Sequence, residues 1–136
     1  MELISTKICK TSDIGINNNL FGGIMLQWLD ESAGVMASSL CCTPNMITLK
    51  MDEVVFKRPV KVKDHIRIYG RVDSVGNTSL RLCIEARRFD FESKIEESVC
   101  TTKMLFVKID SEGKASPIEP EMKERIMKMQ EKCQNN

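Results

Sequence analysis

One run of residues limits the possible folds more than any other: a helix-length stretch with almost no polar face, entered through a pair of glycines. From Ile24 to Leu40 the apolar residues fall at 24, 25, 26, 28, 29, 33, 35, 36, 37 and 40. Gln27, Asp30 or Glu31, Gly34 and Ser38 trace a single narrow polar line at helical spacing. A helix this apolar has to be covered by the rest of the fold. At about 1.5 Å per residue an 18-residue helix runs roughly 27 Å, the length of a strand of about eight residues at ~3.3 Å each. The run therefore fits lengthwise along the concave face of a sheet.

The remaining elements read as strands and one further helix. Residues 3–10 form a first strand, with Thr11-Ser12-Asp13-Ile14-Gly15 as its exit turn. Pro44 ends the central helix, and residues 46–57, rich in Val, Ile, Thr and Phe, run as a strand to Pro59. From His65 to Val75, Ile66, Ile68, Gly70 and Val72 alternate with Arg67, Tyr69, Arg71 and Asp73, the period of a strand with one dry face. Gly76-Asn77 fits a two-residue hairpin turn. Leu80, Leu82, Ile84 and Ala86 then repeat the alternation, and a turn near Asp90–Glu97 leads to a last strand from about Ser98 to Ile109. Beyond Pro117 and Pro120, Met122, Ile126, Met129 and Cys133 form a stripe at i, i+4, i+7 and i+11, the mark of an amphipathic helix. Long strands joined by short turns around one buried helix give an α+β layout, and 136 residues suffice for one domain with a stable core.

Charge and cysteine spacing exclude several function classes. Lys+Arg 20 against Asp+Glu 19 leaves no global basic field for nucleic acid. The start lacks the apolar region of a secretory signal, and no apolar run approaches the ~20 residues of a membrane span. Cys9, Cys41, Cys42, Cys83, Cys100 and Cys133 include no Cys-x-x-Cys, and His65 is the only histidine, so neither a zinc cage nor a redox pair is indicated. The cysteines read as reduced, mostly buried thiols of a cytoplasmic protein.

Gly22-Gly23 lets the backbone turn tightly into the helix. It also leaves the first helical N–H groups bare, at the positive end of the helix dipole, where they suit an oxyanion. Asp30, seven residues beyond Gly23, returns to the same face after about two turns. A buried carboxylate costs several kcal/mol unless it is paired, so Asp30 either faces a solvent channel or has chemistry to perform.

Leu20-Phe21-Gly22-Gly23 followed by Trp28-Leu29-Asp30-Glu31-Ser32-Ala33-Gly34 resembles the signature of the hotdog-fold acyl-CoA thioesterases, in particular the cytosolic acyl-CoA thioester hydrolases. Thr48, Asp52, Phe56, Pro59, Val60, Val62 and Asp64, then Tyr69-Gly70 and Phe106-Val107, continue the likeness over roughly residues 13–118. The resemblance implies a hotdog fold, an antiparallel sheet wrapped around a long central helix, as one domain over 1–118, with a C-terminal helix over 119–136 belonging to it. It implies hydrolysis of fatty acyl-CoA to free acid and CoA, with no metal and no cofactor beyond the coenzyme A of the substrate. Asp30 then acts as general base or as nucleophile, the Gly23 N–H as oxyanion donor, and Asn19 as the amide that holds water or the thioester carbonyl. Phe21, Gly22, Thr48, Lys57, Arg58 and Pro59 are the implied substrate contacts. Among Lys57, Arg58, Lys61, Lys63, Arg67 and Arg71, Arg58 with Lys57 or Lys61 would meet the phosphates, unless these are ordinary exposed strand cations. Trp28 and Met25 are expected in the core.

The family pairs two sheets edge to edge, so each site takes its glycine turn and Asn19 from one subunit and Asp30 from the other. A homodimer is then the smallest active unit, and a hexamer would be a trimer of dimers. The chain departs from the family pattern in two places: a glycine is common where Asn18 stands, and an Asn where Gly15 stands. Which of Asn17, Asn18 and Asn19 enters the site is left open by sequence. A non-catalytic acyl-CoA sensor is the alternative reading. An acyl-thioester dehydratase is disfavoured by Phe21 and the asparagines standing where a catalytic histidine belongs.

Overall fold

The structure is a computed structural model and describes residues 1–134. Strands β1 (Glu2–Ile8), β2 (Met46–Phe56), β3 (His65–Val75), β4 (Ser79–Phe89) and β5 (Glu96–Lys108) form one antiparallel sheet in the order β1-β3-β4-β5-β2. Helix α1 (Gly22–Cys41) lies across it and touches all five strands. Helix α2 (Pro120–Gln134) packs on α1 and β3. This is the expected hotdog arrangement. Asn135 and Asn136, the end of the expected 119–136 helix, lie outside the described residues.

The alternating strands supply the core. Ile66 and Ile68 of β3 and Leu80, Leu82 and Ala86 of β4 are completely buried, and they share one cluster with Leu29, Ala33 and Ala37 of α1. Burying each Leu or Ile contributes about 1.5–3 kcal/mol. At Gly70 the Met36 side chain of α1 packs directly on the backbone of β3. A Cβ there would stand 2.6 Å from Met36 Sδ and 2.7 Å from Ile4 Cδ1. On the opposite face the odd-numbered β3 residues form a charged lattice: the Tyr69 hydroxyl donates to Glu96 at 2.7 Å, and Arg87 stacks 4.1 Å over the Tyr69 ring. Trp28 and Met25 are buried as expected.

Several local readings need correction. β1 ends at Ile8 instead of residue 10, because the Lys10 N–H turns to Asp13 Oδ2 at 2.9 Å and opens a 3-10 turn over Thr11–Asp13. The β3–β4 hairpin closes one residue late, with the Gly76 N–H donating to Ser79 O at 2.8 Å across Asn77 and Thr78. The α2 stripe is only half buried. Met122 and Ile126 enter the core, but Met129 is 44% exposed and Cys133 is exposed, since this half of α2 leans over the end of β3. β1 reaches no further along β3 than Gly70, and Gln130 Nε2 donates at 3.0 Å to the carbonyl of Asp73 beyond it. Cys42 is exposed too, so four of the six thiols are buried. Burial pushes the thiols of Cys9, Cys41 and Cys83 up and that of Cys100 to about 11. α1 is not covered all round: Gly23, Gln27, Asp30, Glu31 and Val35 form an exposed line, Val35 being 65% exposed. Among the described residues no helix is long and apolar enough to cross a membrane.

Candidate active site

The loop before α1 is a closed hairpin. Ile14 and Leu20 bridge its base, the Gly15 N–H donates to Asn19 O at 2.8 Å, and Asn18 takes the left-handed φ of 60° at the tip. Asn tolerates that conformation better than most residues, so the turn forms without the usual glycine. Ile16, Asn17 and Asn18 are therefore exposed at the tip, and Asn19 sits at the half-buried base. Two further main-chain bonds clamp the loop: Leu20 N–H to Val60 O at 2.8 Å and Phe21 N–H to Asp13 O at 2.9 Å.

Phe21 is the N-cap of α1, extended and without any side-chain cap. Its carbonyl accepts from Ile24 and Met25 at 2.9 and 3.2 Å, whereas the Gly22 and Gly23 N–H groups have no acceptor among the described residues. No acidic side chain stands in the first turn. These are the bare donors at the positive helix end that an oxyanion needs. The absence of side chains lets two rings close in. A Cβ on Gly22 would lie 3.5 Å from Phe56 Cζ, and one on Gly23 only 2.9 Å from Phe21 Cε1.

Beside this turn is a cavity of about 370 Å³ walled by Asn19, Leu20, Gly22 and Met25 on one side and by Phe56, Lys57, Arg58, Pro59, Val60 and Val99 on the other. Five of the expected site residues, Asn19, Gly22, Lys57, Arg58 and Pro59, thus meet. Phe21 and Gly23 adjoin them through the helix entry. Of the six clustered cations, Lys57 and Arg58 line the cavity and Lys61 reaches it through Asn19, to whose Oδ1 the Lys61 ammonium donates. Arg67 and Arg71 instead pair with Glu96 and Asp73 on the sheet. The Arg58 guanidinium pairs with Glu97 at 2.9 Å. Glu97 also bonds Arg88, which stands 3.8 Å from Asp64. A chain of four alternating charges therefore backs the cavity.

Asp30 and Thr48 are elsewhere. The Thr48 hydroxyl donates to Asp30 Oδ1 at 2.6 Å, and neither residue lines the cavity. Asp30 lies about 10 Å along α1 from Gly23, seven residues at ~1.5 Å each. Thr48 is therefore a partner of the carboxylate in this chain. Glu31 turns toward Gln27 and Lys7, so Asp30 is the carboxylate of the pair that faces β2. Sequence reading missed the Lys61–Asn19 bond and Glu97 altogether. Their partners lie 42 and 39 positions away, beyond any local spacing signal. Met25 was expected only as core and is also a cavity wall.

Residues 17–92 match the family model described as the thioesterase superfamily. Among curated proteins, the chain is 30% identical to an uncharacterized acyl-CoA thioester hydrolase of Bacillus subtilis, YkhA, over 93% of this chain and 81% of that one. It is 28% identical to the acyl-CoA thioester hydrolase YciA of Salmonella typhimurium, over 86% and 90% respectively. Among solved structures, a hexameric hotdog fold thioesterase of Campylobacter jejuni superposes with a TM-score of 0.81 at 30% identity, over 93% of this chain and 97% of that one. With the glycine turn, the central helix and the wrapped sheet all in place, the chain belongs to the thioesterase superfamily, in its hotdog-fold branch.

Proposed function

We propose that the chain hydrolyses acyl-CoA thioesters in composite sites built by a two-fold pair of subunits, with water as second substrate and no metal or cofactor. The observation that carries this reading is the separation of the two half-sites. A base and an oxyanion donor must both lie about 3 Å from one reacting carbonyl, whereas Asp30 and Gly23 of one chain are about 10 Å apart along α1. The two halves also mark opposite ends of an unpaired edge. Thr48 and Asp30 stand near the start of β2 and Phe56 with Gly22 at its end, and among the described residues β2 has only β5 as a neighbour. Antiparallel pairing of two β2 edges about their middle brings Asp30 of one protomer to the glycine turn of its partner. The exposed apolar residues Leu49 (61%), Val55 (47%) and Val35 (65%) favour such a contact. The assembly named for the Campylobacter jejuni protein, a hexamer, would then be three such pairs.

In this arrangement Asp30, oriented by Thr48, takes a proton from water as the water oxygen adds to the thioester carbonyl carbon. The oxyanion is held by the Gly23 N–H and the Asn19 amide. Collapse breaks the C–S bond, and the leaving thiolate takes the proton from Asp30, releasing free acid and CoA. Direct attack by Asp30 through a mixed anhydride gives the same products. Single-turnover hydrolysis in ¹⁸O water that leaves label on Asp30 establishes the anhydride route with water attacking the Asp30 carbonyl carbon. The CoA phosphates would meet Lys57 and Arg58 at the cavity rim. The test is turnover on acyl-CoAs from acetyl to palmitoyl, followed by loss of the thioester ultraviolet band. Hydrolysis that disappears in a folded Asp30→Asn variant supports the reading, and no turnover at any chain length with acyl-CoA still bound replaces it with a sensor.

A further inference from the structure

We infer that Lys61 is a positioning residue for Asn19, holding the carboxamide oxygen so that the NH2 group is presented to the cavity and Asn19 serves the substrate as a donor. The inference deepens the hydrolase reading and rests on it. Its first support is chemical. An ammonium has three donors and no acceptor, so the Asn19 atom that meets Lys61 Nζ is the oxygen, and the usual oxygen-nitrogen ambiguity of an amide is removed.

The second support is that both ends of the contact are fixed by main chain. Leu20 N–H to Val60 O at 2.8 Å holds residues 19 and 61 next to each other, and Gly15 N–H to Asn19 O at 2.8 Å closes the loop behind. On the other side Lys61 N–H donates to Asp64 Oδ2 at 2.8 Å, and Lys61 O accepts from the Asp64 N–H at 3.0 Å. Lys61 is an exposed residue whose main chain is fixed at this position and whose ammonium is engaged by Asn19. Asn19 also lines the cavity, and with its oxygen turned to Lys61 the NH2 is the group assigned to the ligand. A donor polarises the thioester carbonyl and stabilises its oxyanion. It cannot accept a hydrogen bond from the attacking water, which leaves the water to Asp30. Lys61 is at the same time withdrawn from phosphate binding.

The experiment compares Lys61→Met, Lys61→Arg, Asn19→Ala and the Lys61→Met/Asn19→Ala double variant on acyl-CoA and on acyl-pantetheine, which carries no phosphates. Positioning predicts that Lys61→Met lowers kcat about tenfold on both substrates with KM little changed, a fraction of the ~100-fold expected from losing a donor outright. Lys61→Arg should restore most of this, and the double variant should be no slower than Asn19→Ala. A rise in KM confined to acyl-CoA, or losses that simply add, overturns the inference and makes Lys61 a phosphate contact. A second readout needs no turnover. In ¹⁵N-labelled protein the Asn19 side-chain amide resonances should move in Lys61→Met and stay in Lys57→Met. Unmoved resonances in a folded Lys61→Met overturn the contact even if the protein hydrolyses nothing, and a wild-type chain inactive on every acyl-CoA refutes the hydrolase reading separately.

Discussion

Two variants that are inactive alone should restore activity when they are assembled together. Asp30→Asn is isosteric, and its amide oxygen can still accept the Thr48 hydroxyl that lies 2.6 Å away in the native chain. The fold is therefore preserved while the base is lost, which costs ~10²–10⁴-fold in kcat. Asn19→Ala removes a side chain at the half-buried base of a loop closed by its own main-chain bonds, so the loop persists and the donor is lost, at ~100-fold. If each site takes Asp30 from one protomer and Asn19 from the other, a mixed dimer has one doubly damaged site and one intact site. At equal co-expression about half the dimers are mixed, and each works at one site of two, so the preparation recovers about one quarter of wild-type activity. If each site belonged to a single chain, every site would carry a lesion and activity would stay near ~1%. The assay is thioester hydrolysis by the unfractionated preparation, and mixed dimers purified through two different tags should reach about one half of wild-type activity. The reverse control places both substitutions in one chain and mixes it with wild type: shared sites leave the mixed dimer dead, whereas self-contained sites leave it half active. Failure of the first mixture to rise above either parent refutes the composite site.

Four further outcomes follow from the packing and charge pairs of this chain. Arg58→Ala should raise KM for acyl-CoA about tenfold with kcat nearly unchanged, whereas Glu97→Gln, by freeing the guanidinium now held at 2.9 Å, should lower KM; steady-state kinetics at low salt decides both, and an unchanged KM in Arg58→Ala removes Arg58 from phosphate binding. Gly70→Ala forces a methyl to 2.6 Å from Met36 Sδ and 2.7 Å from Ile4 Cδ1. The atoms met are ends of flexible side chains that can swing aside, so the cost falls at or below the low end of the ~1–3 kcal/mol of overpacking, and a urea midpoint raised well above wild type would refute the close approach. Burial holds the Cys100 thiol protonated to about 11 against 9.0 for an ordinary thiol, so the unfolded chain releases this proton first. Stability is then complete below about pH 9 and falls as pH rises toward about 11. Cys100→Ala should flatten that part of the urea-midpoint profile, and an unaltered slope would assign it to other groups.

The parts of the fold that could be read from sequence are those whose cause is local. The apolar run of α1 and the period-two alternation of β3 and β4 each repeat one physical rule over many residues, so their spans survive contact with the structure to within a residue or two. Local departures are less legible. Glu53 and Cys42 adopt positive φ, 51° and 52°, where neither residue type announces a turn. Glu53 sits in the β2–β5 register shift between Asp52 and Val55, and Cys42 closes α1, so both conformations are imposed by the surroundings. The candidate site divides the same way. Gly22, Gly23 and Asp30 lie within nine consecutive residues and carry their own spacing signal. The bonds that hold Asp30 and Asn19, from Thr48 over 18 positions and from Lys61 over 42, depend on where β2 and the following turn land against the helix.

The directions of α1 and β2 place the Gly22-Gly23 turn and Asp30 at opposite ends of one seam. The helix runs from Gly22 toward Asp30 while the strand beside it runs from Thr48 toward Phe56, with Thr48 bonded to Asp30 and Phe56 set against Gly22. The two elements are thus antiparallel, and under the proposed reading each end of their seam would supply half of a hydrolytic site. Burying Asp30 within a lone chain would cost several kcal/mol. The fold avoids this cost by placing Asp30 on the exposed line of α1, with one hydroxyl as its partner. A two-fold partner laid against β2 would exclude water from that line in the same step that brings the partner's glycine N–H groups to the carboxylate. The apolar residues Val35, Leu49 and Val55 would then act as interface and as site wall together, so substitutions at these positions should alter turnover through assembly while leaving the fold of the single chain intact.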